Sequence, residues 1–146
     1  MANLAEEARR LKPRRTARGT LLPRLILMTD PVRLPDPLAA VAGLPRGSAV
    51  ILRHYDEGAT GGAGREQLAR QLLAACRRQD VLLLIAGDAR LAAAIGADGL
   101  HLAEYLVRRG SRRWRLWRRP AWIVTAAAHG PAALHRARRA GAAGTV

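Results

Sequence analysis

One cysteine, no phenylalanine and a single lysine mark what this 146-residue chain is short of. With Cys76 alone, neither an internal disulfide nor a cysteine-rich zinc site can be built. Its place in the apolar run LLAACRR predicts a core thiol rather than a nucleophile. No apolar run reaches the ~18–20 residues needed to cross a bilayer. The N-terminus carries basic residues without an apolar stretch and cleavage site, so no signal peptide is expected, and Glu6 and Glu7 argue against a transit peptide. Cytoplasm is the expected compartment. Nucleotide signatures are missing as well. A dinucleotide fold wants G-x-G-x-x-G straight after its first strand, where Thr29, Asp30 and Pro31 stand instead. The later glycines lack the G-K-[ST] ending of a phosphate loop.

What the chain has in excess is arginine. The net charge is +14, and Lys12 is the only basic residue besides arginine and histidine. The charge is concentrated in two stretches. One runs over residues 9–18; the other runs from Arg108 to Arg119 and interleaves Trp114 and Trp117. Guanidinium groups beside indoles can contact phosphates and stack on bases. The plainer reading, favoured here, is a solvated connector whose tryptophans pack onto the body. A high alanine content and the lack of phenylalanine also fit a GC-rich coding sequence.

A chain of this length can form one domain that buries about 70% of the surface its unfolded state exposes. Its hydrophobic pattern alternates short apolar runs with helical ones. Residues 1–20 read as a basic N-terminal extension. Strands are expected at 24–30 (RLILMTD), 48–54 (SAVILRH), 81–87 (VLLLIAG), 98–102 (DGLHL) and 121–128 (AWIVTAAA), with the opening of a sixth in AAGTV. Helices are expected at 37–44, 65–79, 89–95 and 131–140. Leu68, Leu72, Leu73 and Cys76 make one apolar face of the second helix, and Pro131 suits the first turn of the last. A glycine-rich loop, residues 56–64, joins the second strand to its helix, and an arginine-rich connector precedes the fifth strand. The alternation predicts an α/β fold with a parallel sheet, either doubly wound or a (β/α)8 barrel.

Two segments carry a resemblance that chooses between these. VLLLIAGDARLAAAIGADGLHL (81–102) and WIVTAAAHGPAALHRARRAGAAGTV (122–146), with LILMTD and VILRHYDEG before them, resemble the thiamine phosphate synthase family and its TenI-type thiazole tautomerase relatives. The resemblance runs from about residue 24 to the C-terminus. It implies an incomplete (β/α)8 TIM barrel over residues 21–146, with about five β/α units and the start of a sixth strand, and a site at the C-terminal ends of the strands. The expected function is a step of thiamine biosynthesis. That step is the coupling of hydroxymethylpyrimidine diphosphate to thiazole phosphate, or a related thiazole reaction. The synthase branch would use Mg2+ and cationic side chains to neutralise the departing diphosphate.

Residue by residue, the resemblance makes Arg53 the arginine of a Gln-x-Arg-x-Lys diphosphate grip, with Ile51 and Tyr55 at the other two positions. The family's Asn-Asp at the end of strand three falls on Ala86 and Gly87, with Asp88 one place further on as the candidate metal ligand. Its second metal aspartate falls on Leu106, and its Ser-Ala-His on Ala127, Ala128 and His129, which makes His129 a candidate substrate contact. These substitutions lie nearer the TenI-type branch, which needs a general base instead of the metal pair. That base is expected beyond strand six, past Val146. His101, at the end of strand four, reads equally as a ligand contact or a hydrogen-bonded structural residue. A shared metal on His54, His101 and His129 has no carboxylate or other support in the spacing. The loop 58–64 could close over a phosphate at the start of its helix. Phosphorylated small molecules are the expected partners, with self-association through open sheet edges and no membrane. Two other classes compete with the enzyme: a non-catalytic partial barrel acting through a partner chain, and a weak arginine-rich nucleic-acid binder.

Overall fold

The computed structural model describes residues 3–55 and 61–146. The elements follow the expected alternation. They are α1 (Leu4–Arg10), β1 (Ile26–Met28), α2 (Pro37–Ala42), β2 (Ala49–Leu52), α3 (Gly61–Arg78), β3 (Leu82–Ala86), α4 (Ala89–Ile95), β4 (Gly99–Leu102), α5 (Glu104–Arg108), a 3-10 turn (Arg113–Leu116), β5 (Ile123–Ala126), α6 (Pro131–Ala140) and β6 (Gly144–Thr145). All strands run parallel, and their lateral order is their order in the chain, β1 to β6. A doubly wound sheet reverses its strand order at a switch point. A barrel sheet does not, and this one does not. No described helix is long and apolar enough to cross a membrane.

Residue contacts divide the chain into two compact units, Met1–Arg14 with Pro23–Leu83 and Arg15–Leu22 with Leu84–Val146. In the first, β1 and β2 pair through Ile26↔Ala49, Leu27↔Val50 and Met28↔Ile51. The Leu82 N–H donates to the Ser48 carbonyl at 2.9 Å and starts β3 beside β2. Every side chain of β2 is buried, as a strand covered on both faces requires. Ala69, Leu72 and Cys76 of α3 are fully buried, so the thiol is a core residue. In the second unit, β4 and β5 are buried along their whole length.

Local chemistry sets the helix limits. The Asp88 carboxylate accepts from the Leu91 N–H at 2.8 Å and caps α4, while Gly96 ends it at φ +74°, a left-handed conformation that glycine takes without strain. Pro131 opens α6 and Gly141 closes it. Two expectations are corrected. The helix expected from residue 65 begins at Gly61, so the end of the glycine-rich segment is helical, while residues 56–60 lie outside the described residues. The arginine-rich connector, for which no element was expected, is the second. It contains α5 and the 3-10 turn, and Leu106 and Val107 of α5 are half-buried.

Candidate functional site

The first unit carries a cavity of about 550 Å³ at the C-terminal ends of β1 and β2, the end at which a barrel of this class places its chemistry. Thr29, Asp30 and Val32 line it from the β1 side, Arg53, His54 and Tyr55 from the β2 side, and Gly64, Arg65 and Leu68 from α3. Thr29 is fully buried and organises the floor. Its Oγ1 accepts the Arg53 backbone N–H at 2.9 Å and lies 2.9 Å from His54 Nδ1. A buried hydroxyl proton needs an acceptor. A neutral His54 with its proton on Nε2 supplies one at Nδ1 and leaves Nε2–H as a donor.

Desolvation holds the His54 pKa below its ordinary 6.5, with the Arg65 charge adding to the shift and Asp30 opposing it. Asp30 turns the chain out of β1. Its Oδ1 accepts the N–H groups of Val32 and Arg33, each at 2.9 Å, and these bonds, Arg33 first, hold its pKa below the usual 3.8. The Arg65 guanidinium lies 5.5 Å over the Tyr55 ring. Two guanidinium groups, Arg53 and Arg65, thus border one cavity with a neutral imidazole donor, an arrangement suited to a phosphate or diphosphate.

The other candidate residues belong to the second unit. His101 is buried, and its Nδ1 lies 2.9 Å from Thr125 Oγ1, directly across the β4–β5 pairing. The hydrogen-bonded, structural role that the sequence allowed for His101 is thus present. His129 is exposed at the end of β5, with its Nε2 3.7 Å from the Glu104 carboxylate, which also lies 3.8 Å from Arg136. Glu104 and Arg136 escape sequence reasoning because their pairing joins α5 to α6, a contact no spacing records. Thr29 had a signal, since it directly follows β1 on the side where such folds bind.

The residues present do not suit Mg2+. The two positions where the resemblance expects carboxylates hold Gly87 and Leu106, and Asp88 Oδ1 caps α4. Among the described residues no three His, Cys, Asp or Glu side chains come together as a metal set. The guanidinium carbons of Arg115 and Arg118 lie over the Trp114 ring at 5.5 and 5.8 Å. Trp117 remains about half exposed rather than packed onto the body.

Comparison with known proteins points to one family. The family profile described as thiamine monophosphate synthase matches residues 30–145. Thiamine-phosphate synthases from Alcanivorax borkumensis and Marinobacter nauticus are each 35% identical, over 82 and 91 residues. Those segments cover 55% and 61% of this chain, but only 37% and 40% of the relatives, so the match spans well under half of their length. Among solved structures, a thiamine phosphate pyrophosphorylase from Pyrococcus furiosus superposes with a TM-score of 0.58 at 21% identity, over 81% of this chain and 56% of the other. That likeness establishes the fold, an α/β chain forming part of a barrel.

Proposed function

This chain belongs to the thiamine monophosphate synthase family, and from that premise we propose that it serves thiamine biosynthesis by gripping a phosphorylated precursor at the ends of β1 and β2. The observation that carries the proposal is the presence of Arg53 and Arg65 in one cavity. The precursor that fits the synthase step is hydroxymethylpyrimidine diphosphate. Its departing diphosphate gathers negative charge, and preorganised guanidinium groups stabilise that charge without the solvent reorganisation water would need. Thr29 fixes the backbone that presents Arg53 and orients His54, whose Nε2–H can donate to a phosphate oxygen or to the ring being transferred.

No step here runs through a metal, because the donors do not fit one. That same observation favours a second reading within the family, a TenI-type isomerisation of a thiazole phosphate, which needs proton transfer and no metal pair.

Calorimetry with the pyrimidine diphosphate on the wild type and Arg53→Ala, with and without Mg2+, tests the grip. A coupled assay for thiamine phosphate separates the two branches. Hydrogen bonds to charged groups contribute about 1.5–3 kcal/mol, so Arg53→Ala should weaken binding at least about tenfold. Mg2+ should change the affinity little. Asp88→Asn, which keeps a capping oxygen, should stay close to wild type in stability, while Asp88→Ala should lose about 1 kcal/mol. Turnover that requires Mg2+ and vanishes in both Asp88 variants, with their folds intact, would place a metal ligand at Asp88 and defeat the metal-free reading.

A further inference from the structure

A second cavity, of about 250 Å³, lies in the second unit between α5, the 3-10 turn and α6. Arg108, Arg112, Arg115, Arg136 and Arg139 line it, together with Ser111, and no carboxylate does. Arg115 is committed, since its Nη2 donates to the Ala140 carbonyl at 3.0 Å. The side chains of Arg108, Arg112 and Arg139 make no hydrogen bond or ion pair among the described residues. Arg136 has only the distant Glu104 carboxylate, and its Nε is shielded from solvent with no hydrogen-bond partner.

Arginines in the last turn of a helix commonly do no more than offset its dipole in water. That account covers Arg139 but not a walled concavity, nor a buried donor left without an acceptor. We propose that this cavity is a binding site for a phosphate or diphosphate group, independent of the Arg53 reading. Its volume falls below the roughly 300–1,000 Å³ of pockets for drug-sized ligands, which suits the anion itself better than a whole nucleotide. Guanidinium forks match tetrahedral oxyanions in geometry as well as in charge. Arg115 and Arg118 already stand over the Trp114 ring, at 5.5 and 5.8 Å from its centre.

The test is titration of inorganic pyrophosphate, read by tryptophan emission and calorimetry. It uses the Arg53→Ala background, so that failure of the first site cannot be mistaken for failure of this one. Binding should persist in Arg53→Ala and weaken at least tenfold when Arg112→Gln and Arg139→Gln are added. Arg136→Gln should also weaken it, and Arg78→Gln, on α3 of the first unit, should not. Arg108→Gln serves if the double variant loses its thermal transition. Affinity unchanged in the cavity variants would overturn the proposal. So would a single-stranded oligonucleotide that binds more tightly than pyrophosphate at physiological salt and is lost in the same variants, since the surface would then be a nucleic-acid one.

Discussion

At Thr29 a single hydroxyl joins two strands. It accepts from the Arg53 backbone and holds His54 by Nδ1, which favours an uncharged imidazole. Because desolvation holds the folded pKa of His54 below 6.5, the unfolded chain takes up a proton first as pH falls. The stability tied to this residue is therefore present above about pH 6.5 and is lost as pH drops through the lower folded value. Urea midpoints measured between pH 7.5 and about 5 should decline, and His54→Asn should flatten that decline. An equal slope in the variant would remove His54 as the cause. Asp30 acts in a separate acid window: its pKa is depressed, so its contribution is lost only below 3.8. Arg53 was singled out in the sequence through the family resemblance, and the structure places it on the cavity. Arg65 and Glu104 were not, since each acquires its role from a partner on another element.

The G-A-D-G segment before β4 shows how an element encodes a fold through a missing side chain. A Cβ at Gly99 would lie 1.9 Å from the Ile123 carbonyl oxygen, a backbone atom that cannot swing aside. Gly99 pairs with Ile123 at the start of the β4–β5 ladder, so the close approach is fixed by the strand register. Overpacking a filled interior costs about 1–3 kcal/mol, and a backbone clash should reach the upper part of that range. Gly99→Ala should lower the urea midpoint accordingly, whereas a midpoint within error of wild type would show that β5 yields. Helices with strong caps were readable to the residue: α4 between Asp88 and Gly96, α6 between Pro131 and Gly141. The start of α3 was not. Each glycine in a helix costs about 1 kcal/mol against alanine, so residues 61–64 read as loop, although a helix anchored by Leu72 and Cys76 propagates through them. Five-residue α5 was missed because arginines mask its two half-buried apolar positions.

Across the molecule, the sheet has two open sides. Among the described residues β1 pairs only with β2, and β6 only with β5, so each has one side without a strand partner. Such edges pair readily with other strands. Sedimentation velocity on this chain should show concentration-dependent dimers or larger species, and a monodisperse monomer with a sharp thermal transition at every concentration would refute this. The strand order that leaves these sides open has another effect. Each strand's neighbour is the one made just before it, so the links closed at every stage are short and their entropic cost is small. During translation no strand must be held in reserve for a later one to slip in beside it.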